Sequence, residues 1–311
     1  MNKKKTISIV IPAYNEAENI PVIAQRIQEV FQSLPGYDYE IIFVADGCTD
    51  NSLEIIKGLG KEASVFYLEF SRNFGHQLAI KAGLDYAKGD GIISMDCDLQ
   101  HPPELIPQLI GKWEEGYEVV YTIRKEDKLL PYEKRITSKL YYRVLNKLSS
   151  VELEAGSADF RLLDRKVVNV LKRFEENEPF LRGLVKWLGF SQYAICYEPA
   201  QRFAGKTKYS IKIMMRLALQ GVTSFSIKPL YMMVYLGFLF SSLSVLYIPY
   251  VIYAICSGHG VSGWASLIMT VVFFGGLQLI ILGIIGVYIG KMFMQTKTRP
   301  NYIVRSTNIK D

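Results

Sequence analysis

Two aspartates one residue apart, Asp96 and Asp98, close a short apolar run at residues 91–95. Successive side chains of an extended segment point to opposite sides, so these two face the same way and can share one cation. Carboxylate oxygens suit Mg2+ or Mn2+, and such an ion binds through one or two carboxylates with substrate phosphates filling other positions. A lone D-x-D occurs in many solvated loops, so the weight of this pair comes from its place directly after a buried strand. Two further polar clusters follow apolar runs in the same manner: Pro12, Ala13, Tyr14, Asn15 and Glu16 after residues 7–11, and Asp46 to Asp50 after residues 40–45. At a strand end Glu16 or Asp46 can accept a hydrogen bond from a ribose hydroxyl or a nucleobase. Helix capping is the competing use for Asn15, Asn19, Asp50 and Asn51.

The elements that must position these groups alternate. Residues 7–11 form a β-branched run, and residues 19–34 carry Ile20, Ile23, Ile27, Val30 and Phe31 at helical spacing. Strand 40–45, helix 51–59, strand 64–70, helix 76–87 and strand 91–95 follow, with Asp46-Gly47 and Gly89-Asp90 as turns. Such alternation predicts a parallel α/β sheet with ligands at the carboxyl ends of its strands. Beyond Pro102 the pattern predicts a helix over 104–115, a strand over 119–123 and a basic amphipathic helix over 132–148.

The last third differs in kind. Residues 230–255 and 264–289 carry no formal charge, and each is long enough to cross a hydrocarbon core of roughly 30 Å as a helix. Lys206, Lys208, Lys212, Arg216 and Lys228 precede the first run, and Lys291, Lys297, Arg299 and Arg305 follow the second, while the intervening link has neither Lys nor Arg. The positive-inside rule then places both termini in the cytoplasm, with residues 210–227 as an interfacial helix. The net charge of +6 gathers near the apolar runs, which favours anionic lipid or phosphate ligands over nucleic acid. Four separated cysteines form no C-x-x-C pair, so neither a zinc site nor a disulfide framework is expected.

The strings SIVIPAYNEAENI (8–20), VADGCTD (44–50), MDCDLQHPPE (95–104) and ADFRLLDRKV (158–167) resemble family 2 glycosyltransferases of GT-A fold. The polyprenyl-phosphate subgroup, which includes bactoprenol glucosyltransferases and dolichyl-phosphate mannose synthases, is the most similar. GKTKY (205–209), TSFS (223–226) and the two apolar runs extend the likeness over nearly the whole chain. The resemblance implies four segments: a cytoplasmic GT-A domain over 1–209, juxtamembrane helices over 210–228, a two-helix hairpin over 229–290 and a cytoplasmic tail over 291–311.

Carried over motif by motif, Pro12, Tyr14, Glu16, Asp46 and Asp96 line a nucleotide-sugar pocket, and Asp98 with Asp96 holds Mg2+ or Mn2+. Gln100 approaches the sugar or acceptor, Arg124, Arg202, Lys206 and Lys208 meet phosphates, and Asp159 takes the place often assigned to a catalytic base. A phosphate monoester is largely ionised at neutral pH and needs little base assistance, so orienting the acceptor or Arg161 is an alternative task for Asp159. Ala45, Cys48, Lys125 and Pro199 depart from the usual residues, weakening the expected base contact and one phosphate clamp. The implied activity is inverting transfer of one hexose, glucose from UDP-glucose foremost, to undecaprenyl phosphate at the cytoplasmic leaflet. UDP-GlcNAc or GDP-mannose as donor, a processive polysaccharide synthase and a membrane scaffold are the alternatives, and a homo-oligomer is compatible with all of them.

Overall fold

The computed structural model describes residues 4–62, 64–125, 154, 156–177, 179–198, 226–257 and 263–310. The chain separates into two units, one holding the sheet and also Arg299–Asp311, the other holding Leu219–Thr298.

In the sheet unit the order of elements is β1 (Lys5–Ala13), α1 (Asn19–Gln32), β2 (Tyr37–Ala45), α2 (Ser52–Leu59), β3 (Val65–Phe70), α3 (His76–Tyr86), β4 (Gly91–Ser94), a 3-10 turn (Pro103–Leu105), α4 (Ile106–Glu114), β5 (Val119–Arg124), β6 (Ser157–Asp164), α5 (Arg165–Leu171), α6 (Leu181–Trp187) and β7 (Gln192–Tyr197). The eight strands lie in the order β7-β5-β6-β4-β1-β2-β3-β8, where β8 is Val304–Thr307. β1 pairs in parallel with β2 from Lys5↔Tyr37 to Ala13↔Ala45 and with β4 from Ile7↔Gly91. Strands covered on both faces read as continuous Val/Ile runs rather than alternating ones, which is why SIVI in β1 and IIFV in β2 are wholly buried. α3 lies so close to this layer that a Cβ on Gly83 would fall 2.1 Å from Val10 Cγ1.

Three features depart from the expected elements. The helix expected over 104–115 opens as a separate 3-10 turn before α4, with proline early in each. β6 runs antiparallel between β4 and β5; its buried Asp159 and Arg161 break the apolar pattern that would have announced it. The tail expected over 291–311 is divided: α8 (Trp264–Thr296) continues through its first residues, and the remainder returns to the sheet, where β8 pairs antiparallel with β3.

The second unit contains α7 (Lys228–Cys256) and α8. Among the described residues one segment, Leu267–Thr296, is long and apolar enough to cross a membrane, and Lys228–Phe240 is a shorter apolar stretch. Two equivalent spans are therefore not both evident among the described residues. The amphipathic helix expected over 132–148, Pro199, Arg202, Lys206 and Lys208 lie outside the described residues, as does the expected interfacial helix apart from Ser226 and Ile227.

Candidate functional site

The carboxyl ends of β1, β2 and β3 form one half of the site, and their loops are interlocked. Asn15, at a left-handed φ of 56°, accepts from Thr49 N through Oδ1 (2.8 Å) and donates to Thr49 Oγ1 through Nδ2 (3.0 Å). Glu16 N donates to Ser52 Oγ (2.8 Å), and Asn19 Nδ2 donates to Glu16 Oε2 (2.6 Å). Neither Asn15 nor Asn19 caps α1, whose N-cap is Glu18. Asp46 is 3% exposed. Its Oδ1 accepts from Phe74 N (2.7 Å), its Oδ2 from Gly75 N (3.0 Å), and its backbone oxygen from Asn73 Nδ2 (3.1 Å). Burial raises the Asp46 pKa, and the two N–H donors oppose that rise. Gly47, at φ 66°, lets the β2 and β3 loops touch backbone to backbone, since a Cβ there would lie 2.3 Å from Asn73 N.

Each oxygen of the Asp46 carboxylate thus holds the loop after β3. Pro12 remains inside β1, buried opposite Val44. Ala45 is 1% exposed within the core, and Cys48 Sγ donates to Ala13 O (3.4 Å). Tyr14 stands at the mouth, with 39% of its surface open to solvent.

The other half lies at the ends of β4, β5 and β6. Beyond β4 the chain turns instead of staying extended, with Leu99 at a left-handed φ of 60°, yet burial still alternates: Met95, Cys97 and Leu99 are buried, while Asp96, Asp98 and Gln100 are half-buried. His101 fixes this turn from beneath. It is buried, stacks on Phe160 and accepts from Asp96 N through Nδ1 (2.9 Å). Burial lowers its pKa, in keeping with a neutral imidazole whose Nδ1 is an acceptor. Asp98 Oδ1 accepts from Gln100 N (3.1 Å), and Gln100 Oε1 accepts from Arg124 Nη2 (2.7 Å), so the motif is tied to the end of β5.

Asp159 in β6 is the most heavily engaged acid. Arg182 Nε and Nη2 each donate to it at 2.7 Å, Gln77 Nε2 at 3.2 Å, and Arg161 Nη2 lies 3.7 Å away. His76 Nε2 lies 3.5 Å from Asp159 Oδ2 and 3.3 Å from Asp96 Oδ1, bridging the two carboxylates. Burial opposes ionisation of Asp159, yet the Arg182 charge and hydrogen bonds, with His76 and Arg161, hold it well below the usual carboxylate range. For His76, burial is the largest influence and favours the neutral form, but Asp159 and Asp96 outweigh it and raise the pKa to about 9. Sequence reasoning missed Arg182 and Gln77, because their shared partner Asp159 lies far away along the chain.

Residues 8–171 match the model for glycosyl transferase family 2. The chain belongs to that family. Among its relatives, "Uncharacterized glycosyltransferase YkcC" of Bacillus subtilis (strain 168) is 44% identical over 309 residues, covering 99% of this chain and 95% of the relative. A bactoprenol glucosyl transferase of Shigella phage SfII is 40% identical over 304 residues, covering 97% and 98%. A mannosyltransferase of Pyrobaculum calidifontis, whose structure holds GDP-Man and Mn2+, matches with a TM-score of 0.51 at 14% identity, over 72% of this chain and 64% of that one. That likeness establishes a GT-A, Rossmann-like fold with a mostly parallel sheet.

Within this family 2 member, no group of three or more His, Cys, Asp or Glu able to hold a metal occurs among the described residues. Asp96 and Asp98 offer two carboxylates, and Asp96 Oδ1 is buried without a hydrogen bond. A hard cation that takes few protein oxygens and completes its sphere with phosphates fits that donor set.

Proposed function

We propose that this family 2 glycosyltransferase transfers a single glucose, with inversion, from UDP-glucose to a polyprenyl phosphate, undecaprenyl phosphate foremost, at the cytoplasmic face of a membrane. The observation that carries the reading is the pair of carboxylates Asp96 and Asp98 just beyond β4, Asp96 Oδ1 making no hydrogen bond and facing the His76 ring at 3.3 Å, in a chain similar over nearly its whole length to bactoprenol glucosyl transferases.

In this reading Asp98 and Asp96 hold Mg2+ or Mn2+, which when bound neutralises charge on the diphosphate as it leaves. Tyr14 and Glu16 line the nucleotide side, and Pro12 and Asp46 shape it from within. Gln100 and Arg124, joined by their hydrogen bond, face the diphosphate and sugar. Arg202, Lys206 and Lys208 bind lipid or donor phosphate. The acceptor's phosphate oxygen attacks the anomeric carbon, a C–O bond forms there, and the bond from that carbon to the diphosphate breaks, releasing UDP. No proton need be removed from an ionised phosphate monoester. Asp159, with its depressed pKa and paired guanidinium, is a poor base and serves to orient Arg182 and His76 around the acceptor.

The sheet supports a two-span topology. β8 follows α8 and pairs with β3 in the unit that also contains the chain before α7, so an even number of crossings is required between them. With Leu267–Thr296 as one crossing we read α7 as the other, the sheet domain and tail then sharing one compartment. The basic residues flanking the helices favour the cytoplasm.

Full-length protein in nanodiscs, supplied with undecaprenyl phosphate, Mn2+ and a panel of labelled UDP- and GDP-sugars, tests the reading. Label from UDP-glucose should enter an organic-extractable lipid as one sugar per phosphate. Label in polymer, from a different donor alone, or in no lipid at all would contradict it.

A further inference from the structure

We propose that Tyr302, in the C-terminal tail, is a positioning residue for the donor side of the site. The inference rests on reading the β1, β2 and β3 loops as the nucleotide-sugar pocket.

The tail does more than cover a sheet edge. The Tyr302 ring stacks on Phe70, the last residue of β3, with centroids 5.4 Å apart and planes at 16°. Its hydroxyl donates to Asp85 Oδ2 (2.9 Å), and Asp85 Oδ1 accepts from buried Lys81 (2.5 Å), so the phenol is pinned to α3 as well as to β3. Phe70 meets Phe74 edge to face at 5.5 Å, and Phe74 N is the donor to Asp46 Oδ1. The first residue of the same loop is also held by the tail: Ser71 N donates to Ile303 O (3.0 Å), and Arg305 Nη2 donates to Ser71 O (3.0 Å). Residues 71–75 therefore have their start bonded to the tail and their Phe74 braced by Phe70, which Tyr302 backs.

That loop orients Asp46 and abuts Gly47. From there Asn15 and Thr49 pass the constraint to the end of β1. Removing the Tyr302 ring loosens Phe70 and Phe74 and lets the Asp46 loop shift, while Asp96, Asp98 and Asp159 keep their partners. The loss should fall on donor binding and spare acceptor binding and the chemical step.

Steady-state transfer by full-length protein in nanodiscs tests this. Tyr302→Ala should raise the KM for UDP-glucose by about tenfold and leave kcat and the KM for undecaprenyl phosphate within about twofold of wild type. Tyr302→Phe, which keeps the stacked ring, should recover most of the lost donor affinity. Thr307→Ala, which removes a bond to Tyr67 O at the far end of β8, should leave all three constants unchanged. Should Tyr302→Ala not fold, Arg305→Ala reports on the same loop through Ser71 and should raise the donor KM alone. An unchanged donor KM, an equal rise in Thr307→Ala, or a fall in kcat with both KM values raised alike would overturn the inference. Calorimetry with UDP and Mn2+ separates the two layers: wild type that binds no UDP would overturn the donor-pocket reading and this inference with it, whereas equal binding by wild type and the folded tail variant overturns the inference alone.

Discussion

The two halves of the strand-end site satisfy their polar groups by different means. On the β1–β2–β3 side, Asp46, Asn15 and Glu16 bond to neighbouring loops, largely through backbone N–H groups. On the β4–β5–β6 side, Asp159, Arg182, His76 and Asp96 face one another as charged side chains, and Asp96 Oδ1 makes no hydrogen bond. Hydrogen bonds from a fixed backbone build a frame, whereas the second half is a cluster of opposed charges in which His76 bridges Asp96 and Asp159. The first half should therefore reveal itself in stability and donor affinity, and the second in catalysis.

The largest effect expected from that contrast is catalytic. Asp98→Ala should lower transfer by about 10³-fold, the scale of losing a group that stabilises developing charge, with an unchanged melting temperature. Next comes Arg182→Ala, which leaves the buried Asp159 carboxylate without its bidentate partner. Breaking a buried pair by removing one member costs about 3 kcal/mol, to be read by denaturant unfolding in detergent. The double variant Arg182→Ala with Asp159→Asn should recover part of that stability without restoring activity. Asp46→Ala leaves the N–H groups of Phe74 and Gly75 unsatisfied and should cost about 2 kcal/mol. If Asp46→Ala instead lost activity at full stability, the division between frame and chemistry would fail.

The smallest effect is pH-dependent. The pKa of His76 rises from about 6.5 unfolded to about 9 folded, so its pairing stabilises fully below about pH 6.5 and that contribution is lost as pH rises through about 9. The Asp159 shift has the opposite sign: its contribution is present above the unfolded value and lost only as pH falls well below it. With a chelator present, wild type should therefore lose slightly more melting temperature between pH 6.5 and 9 than His76→Gln. The difference is small because the His76 side chain is 45% exposed.

Which parts of this were legible in the sequence follows from how far each residue's partners lie. β1, β2 and β4 were readable because a strand buried on both faces needs an unbroken apolar run, and α1 because its buried face repeats at helical spacing. Asp96 and Asp98 were readable as candidates because two acids directly follow a buried apolar run. β6 was hidden by Asp159 and Arg161, whose burial depends on each other and on Arg182, far along the chain. β8 is four residues, Val304–Thr307, with half-exposed and exposed positions alternating, and nothing local marks a strand that exists only because β3 offers an edge. The task of Asp46 was hidden for a related reason: its partners are backbone N–H groups of another loop, which residue types do not encode.

Manganese EPR in the presence of UDP, on purified full-length protein, tests most directly that the charged half is the reactive one. Wild type and Asp159→Asn should show protein-bound Mn2+ that depends on UDP, and Asp98→Ala should show none. Equal Mn2+ binding by Asp98→Ala and wild type would contradict the account.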